Sequence, residues 1–316
     1  MELGRPNLEE FASTLVDLAQ ENRDLIVVTG DSRGSGKLWP FAKAYPDQIV
    51  EIGIAEQNLV GISAGLASTG KRVFAVSPAS FLTTRALEQI KNDVAYSDNP
   101  VKLVGISAGV SYGALGSTHH SLHDFAALRA INNLDIVAPA DNFETREAIK
   151  ASVSHPRPIY LRFGKKPLHH LHTPDTQFQI GEALTIKAGD DITFVAIGEP
   201  VGRALMAAQI LEEEGISCRV ISMHSLRPFD HATLLDAAHH SRAMVTIEEH
   251  SIFGGLGEAS AAILLQHGIR LPFKIIGIPD EYTVTGSQFE IFDHYGINAT
   301  ALANTARQLL QAEPVK

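Results

Sequence analysis

Short, unbroken apolar runs alternate with longer stretches of helical period along almost the whole chain, and this alternation limits the folds open to it. The runs LIVVT (25–29), RVFAVS (72–77), VKLVGIS (101–107), DIVAP (135–139) and PIYLRF (158–163) read as strands. Helical patterns fall between them near 7–21, 55–68, 79–97, 122–131 and 141–154. A strand apolar on both faces must be covered on both faces, which predicts a mainly parallel sheet flanked by helices. The stretch GKKPLHHLHTPDTQFQ (164–179) has charge, Pro and His but no period, and reads as a linker whose histidines are solvated. The pattern then restarts, with strands at 192–198, 217–222, 243–249 and 273–279 and helices near 200–215, 230–241, 256–267 and 299–312. The fold class is α/β in two consecutive domains, 1–165 and 181–316, joined by a linker at 166–180.

Composition narrows the setting. Among 316 residues, 36 Asp and Glu outnumber 26 Lys and Arg, giving a formal charge of −10. That balance argues against nucleic acid and anionic membrane surfaces as partners. The single cysteine, Cys218, cannot form an intrachain disulfide, which fits a reducing cytoplasm. No stretch has the length of a membrane span, and the N-terminus does not read as a secretory signal.

Several motifs invite a chemical reading. Glu56 sits in VEIGIAEQNLVGISAGLAS (50–68), at the first turn of a helix and among apolar neighbours. It could simply favour the helix dipole. It could equally be an acid whose pKa is raised by a dry setting, and spacing leaves both open. GDSRGSGKL (30–38) fails as a phosphate loop of the Walker type, because Asp31 stands where Gly is required and Leu38 replaces the hydroxyl. GLGEAS (255–260) nearly matches a dinucleotide fingerprint but ends in Ser, and reads better as a tight glycine turn. His119, His120 and His123 could ligate zinc, yet no fourth ligand stands at metal spacing. Arg162 ends a strand, where an arginine often faces an anionic ligand; a surface ion pair is the plainer alternative.

In order along the chain, GIAEQN (53–58), GLASTGKRVFAV (65–76), SFLTTRALEQIKNDVAY (80–96) and STHH (117–120) resemble the pyrimidine-binding domain of transketolases and 1-deoxyxylulose-5-phosphate synthases. VTIEEHSIFGGLGEA (245–259) and the run from PDEYTVTGS to HYGINA (279–299) resemble that family's C-terminal domain. The resemblance implies that Glu56 hydrogen-bonds the aminopyrimidine of thiamine diphosphate and favours the tautomer that takes a proton from the thiazolium. It implies further that Phe81 packs on the pyrimidine, with Asp31 and Thr84 on the cofactor side. Ser35 and Arg162 match positions that contact the sugar phosphate, and His119 matches a histidine facing the substrate. Transketolases hold the diphosphate and its Mg2+ through a Gly-Asp-Gly motif completed by a downstream Asn, and no Gly-Asp-Gly occurs here. The expectation is a C-terminal subunit of a split transketolase, moving a two-carbon ketol unit between sugar phosphates. An N-terminal partner would carry the metal and diphosphate site, in a heterotetramer of two copies of each chain. The chain alone could pair with itself through the same surfaces.

Three departures bear on the sugar. Leu115 replaces an Asp that reads a sugar hydroxyl, Ser107 replaces a phosphate-facing His, and Thr84 stands where relatives have an aromatic or Arg. Leucine accepts no hydrogen bond, so a different ketose phosphate, a branched one included, is the expected donor. Two other readings stand beside this one. They are the β subunit of a 2-oxo acid dehydrogenase E1 component, and a non-catalytic module that kept the fold.

Overall fold

The structure, a computed structural model, describes residues 2–173 and 175–311. Pro174, inside the predicted linker, and residues 312–316, including the last position of the helix predicted at 299–312, lie outside the described residues. The first half runs β1 (Leu3–Pro6), α1 (Asn7–Glu21), β2 (Leu25–Thr29), α2 (Trp39–Ala44), β3 (Ile49–Glu51), α3 (Glu56–Ser68), β4 (Arg72–Pro78) and α4 (Ala79–Arg85). It continues with α5 (Leu87–Gln89), a π-helical turn over Ile90–Tyr96, β5 (Lys102–Ile106), α6 (Asp124–Arg129), β6 (Asp135–Val137), α7 (Asn142–Val153), β7 (Ile159–Arg162) and β8 (Pro167–His169). The second half runs β9 (Leu184–Lys187), β10 (Ile192–Ala196), α8 (Pro200–Glu212), β11 (Cys218–Ser222), β12 (Ser225–Arg227), α9 (His231–His239), β13 (Ala243–Ser251), α10 (Leu256–Gln266), β14 (Phe273–Ile278), α11 (Gln288–His294) and α12 (Ala299–Gln311).

Two mainly parallel sheets result. The first has the order β12-β6-β7-β5-β4-β2-β3 and the second β14-β13-β10-β11-β9. β2, β4, β5, β6 and β7 are parallel throughout, while β12 and β9 add antiparallel edges. All five residues of β5 and of β10 are buried, as strands covered on both faces require. One core layer, including Phe11, Phe41, Phe74 and Phe163, lies on one face of the first sheet. The other face merges with the second domain through residues such as Leu226, Met223 and Ile221.

The stretch 166–180 is not a solvated tether. β8 pairs antiparallel with β1, and Phe178 stacks on His224 with ring centroids 4.4 Å apart. The His172 side chain is buried, its Nε2 2.8 Å from Glu144 Oε1. Burial alone would lower the His172 pKa, but the Glu144 hydrogen bond and charge raise it. β12 belongs to the first sheet although it falls inside residues 181–316. It covers the edge of β6, so the two domains share a hydrogen-bonded seam.

Candidate active site

The residues singled out in the sequence gather at the carboxyl ends of the parallel strands of the first sheet, where α/β sheets bind ligands. β2 leads into Gly30-Asp31, β4 into the helix that carries Phe81, and β5 into Ser107 and the loop that carries His119. Asp31 and Ser107 are non-glycine residues with φ of 52° and 55°. Such left-handed backbone is costly and concentrates at functional sites.

Glu56 is the first residue of α3 and is 5% exposed. It caps no backbone N–H. Instead Arg85 Nη1 donates to both of its oxygens, at 2.9 and 3.1 Å. The same guanidinium lies over the Phe81 ring, 4.3 Å from its centroid. Arg85 stands four residues after Phe81 on one helix face, which makes this double contact possible. The apolar surround expected from the sequence is only partial: Leu59 and Val60 are buried, but Ile54 is 72% exposed. Ile54, Gln57, Asn58 and Arg85 border an open depression over Glu56.

From Phe81 the site continues through a line of rings. The His119 ring meets Phe81 edge-on at 5.3 Å, and Tyr112 meets His119 at 5.2 Å. Lys165 Nζ lies 4.6 Å from the Tyr112 ring. Burial, with Lys166 and Lys37 nearby, lowers the Lys165 pKa. No carboxylate among the described residues pairs with it. The loop that presents Tyr112 and His119 is braced by the second domain. Gly113, at φ +54°, approaches the Gly286 carbonyl so closely that a Cβ would lie 2.7 Å from it.

The remaining candidates divide. Asp31 is exposed, its N–H donates to Glu51 Oε1 at 2.6 Å, and it borders a second depression with Arg33, Trp39 and Ile54. The Ser35 hydroxyl turns back to the Ser32 carbonyl at 3.4 Å. The Thr84 hydroxyl is committed to the Ser80 carbonyl of its own helix at 2.6 Å. Arg162, expected on the substrate phosphate or in a surface ion pair, is buried and hydrogen-bonded within the protein. Its side chain is 6% exposed, its Nε donates to Asp124 Oδ2 at 2.7 Å, and its Nη2 donates to the carbonyls of Ser121 and Glu249. Burial would raise the Asp124 carboxyl, but the charge of Arg162, then that of His250, holds it below the usual range. Arg162 therefore ties the two domains together, bonded to Asp124 and Ser121 on one side and to Glu249 on the other.

The other motifs are also accounted for. Glu248 accepts from the N–H groups of Leu256 and Gly257 at 2.7 and 2.8 Å, so the helix terminus of the near-fingerprint holds a carboxylate of its own chain. A Cβ at Gly255 would lie 1.8 Å from Glu248 Oε2, which explains that glycine. His120 Nε2 donates to the Gly113 carbonyl at 2.8 Å. Among the described residues no group of three His, Cys, Asp or Glu is placed to hold a metal ion, and no helix is long and apolar enough to cross a membrane.

Two family models match the chain: the transketolase pyrimidine-binding domain over residues 8–169 and the transketolase C-terminal domain over 181–302. The chain belongs to the transketolase family. It is 46% identical to an apulose-4-phosphate transketolase subunit of Phocaeicola vulgatus over 304 residues, which are 96% of this chain and 97% of that protein. It is 34% identical to a putative transketolase C-terminal section of Methanocaldococcus jannaschii, over 96% of each chain. A solved structure described as a split-gene transketolase, inactive beta4 tetramer, superposes with a TM-score of 0.89 at 35% identity, covering 97% of this chain and 99% of that one. This transketolase-family chain is thus of the C-terminal-subunit type, and thiamine diphosphate is its family's cofactor. The residues that the sequence did not single out are Arg85, Tyr112 and Lys165. The i, i+4 spacing of Phe81 and Arg85 and the basic pair in RFGKK were the available signals.

Proposed function

We propose that this chain is the C-terminal subunit of a two-chain transketolase that moves a ketol unit from a ketose phosphate of the apulose-4-phosphate kind to an aldose phosphate. The observation that carries the reading is the single line of side chains Glu56, Arg85, Phe81, His119, Tyr112 and Lys165 at the carboxyl end of the sheet. The fit to thiamine diphosphate rests on Arg85. Its guanidinium is a planar, N–H-bearing group that stacks on Phe81 and donates to Glu56, two contacts that an aminopyrimidine could take over. When bound, the cofactor supplies the carbanion chemistry. Glu56 would hydrogen-bond the pyrimidine through its carboxyl, Phe81 would orient the ring, and Asp31 and Thr84 would border the same side. His119 faces the substrate oxygens, and Ser35 lies on the neighbouring loop. Lys165 takes the phosphate-binding role that the sequence assigned to Arg162, because its ammonium has no carboxylate partner among the described residues and Arg162 is committed to Asp124. Leu115, 56% exposed, offers the sugar no acceptor where relatives have Asp.

The Mg2+ and diphosphate belong to an N-terminal partner with a Gly-Asp-Gly motif, in a heterotetramer. The exposed side chains of Trp39, Ile54 and Leu115 around the site support a covering subunit. So does the description of the similar solved assembly of β chains as inactive. The test is turnover of apulose-4-phosphate by this chain mixed with a Gly-Asp-Gly-bearing transketolase subunit. Glu56→Gln should lower kcat by about 10²-fold or more with the fold intact. Lys165→Ala should raise KM for the phosphorylated donor about tenfold, the loss of one charged hydrogen bond, and leave kcat nearly unchanged. Full turnover by E56Q excludes the mechanism, and full turnover by the unmixed chain excludes the split site.

A further inference from the structure

A further cavity, away from the depressions at Glu56 and Asp31, lies between the two domains and is unexplained by the reaction. It has a volume of about 570 Å³ and a largely apolar wall. Leu3, Leu168 and His169 of the β1–β8 ribbon form one side, and Met206, Phe289 and Phe292 of the second domain form the other. Its polar groups are few and unusual. Arg203, half-buried on α8, lies between the rings of Phe289 and Phe292, with its Cζ 4.6 Å from each centroid. Among the described residues it has no hydrogen bond and no carboxylate within ion-pairing distance. Glu199, Glu249 and Asp293 act on it only through space.

Glu199 lines the same cavity. Its Oε2 accepts from Gln288 Nε2 at 2.7 Å, while its Oε1 is buried with no partner among the described residues. Burial, then the Glu249 charge, pushes its pKa up to about 8, so it is mostly protonated at neutral pH. Uncharged, it adds no repulsion to an anion in the cavity. His169 Nδ1 is likewise buried without a partner, and Lys166 stands exposed at the rim. A cleft with a largely apolar wall and a few polar groups is the usual form of a small-molecule site. Arg203 and Lys166 are its cations, and the fork of Arg203 suits an oxyanion.

We infer that this interdomain cavity binds a small organic anion, an apolar body carrying one carboxylate or phosphate head, with the head on Arg203 and the body against Phe289, Phe292 and Met206. The inference stands apart from the transketolase reaction and uses none of its residues.

Gly202 provides a clean control. It lines the cavity on α8, and a Cβ there would meet nothing closer than Leu171 Cδ2 at 4.0 Å. Gly202→Leu therefore starts its side chain in open space on the cavity wall and improves helix propensity. The experiment is calorimetric titration of benzoate, phenyl phosphate and the neutral benzyl alcohol into the full chain. It is repeated with Arg203→Lys, Arg203→Met and Gly202→Leu, each checked for its fold by circular dichroism. The anions should bind with dissociation constants on the order of 1 mM and the alcohol at least about tenfold more weakly. Arg203→Lys should keep weakened binding, while Arg203→Met and Gly202→Leu should lose it. Benzoate and phenyl phosphate in separate arms tell a carboxylate site from a phosphate site. No saturable heat from either anion up to about 10 mM overturns the inference. Equal binding of the alcohol, or binding that survives in folded Gly202→Leu, does so too.

Discussion

Arg162→Met separates a structural arginine from a substrate-binding one. Methionine keeps much of the side-chain volume and removes the charge. What remains is the Asp124 carboxylate, 0% exposed and still held by Tyr160 OH at 2.7 Å. The carbonyls of Ser121 and Glu249 lose a donor as well. Removing one partner of a buried ion pair costs about 3–5 kcal/mol, because the other charge stays buried and uncompensated. With a urea dependence near 3 kcal/mol per molar, the unfolding midpoint should fall by about 1–1.7 M. Adding Asp124→Asn should recover much of the loss, since the orphaned charge is gone, and the double-mutant cycle should show strong coupling. The pH dependence has a definite sign. Asp124 is held below its ordinary value of 3.8 in the folded state, so its contribution is present above that value and lost as pH falls through the folded pKa. The gap between wild type and R162M should therefore narrow in acid. A midpoint unchanged within about 0.2 M, together with a raised KM for the phosphorylated donor, would refute the argument and return Arg162 to the substrate.

Two further outcomes follow from other ion pairs and acids. Arg85→Met should tighten thiamine diphosphate binding by the mixed subunits up to about fivefold, since a pair with one half-exposed partner is worth at most about 1 kcal/mol and would no longer compete for Glu56 and Phe81; weaker binding by calorimetry would mean that Arg85 holds the cofactor itself. Glu199 has its pKa raised from 4.5 to about 8, so the folded state binds a proton that the unfolded state has released, and stability falls as pH rises across that window and levels off above it. Glu199→Gln should flatten that slope in urea melts and raise stability at pH 8, and an unchanged slope would show that Glu199 is not the titrating group.

Much of the frame was legible because it rests on period. The strand predicted at 25–29 is Leu25–Thr29, and the helix predicted at 7–21 is Asn7–Glu21. The strands β3, β8 and β12 have three residues each, too few to show an alternation, and exist only because a neighbouring edge pairs with them. The six-residue α2 was missed for the same reason. α11 left a readable trace: Ser287 and Glu290 form a capping box, and the pattern S-x-x-E stands in the sequence as SQFE. The helix predicted at 79–97 breaks into three pieces ending in a π-helical turn, a hydrogen-bond slip that side-chain period does not encode.

Motif reading located the site but could not assign every partner within it, because partners are set by packing between segments far apart in the chain. Glu56 was found as an acid among apolar residues; that Arg85 answers it could be seen only once α3 and α4 lay side by side. Arg162 shows the opposite limit. A cation at the carboxyl end of a parallel strand faces a ligand when the crevice is open to it, and here Asp124, Ser121 and Glu249 close around it from two elements and a second domain. Gly164, two residues on, carries the same lesson. A Cβ there would lie 1.5 Å from Glu199 Oε1, so that glycine is required by an acid far along the chain, and no local reading of RFGKK could show it. A second domain thus changes what a strand-end motif means. It removes Arg162 from solvent, leaves Lys165 to present a cation beside the ring line, and encloses Glu199 against Gly164 in the wall of the interdomain cavity.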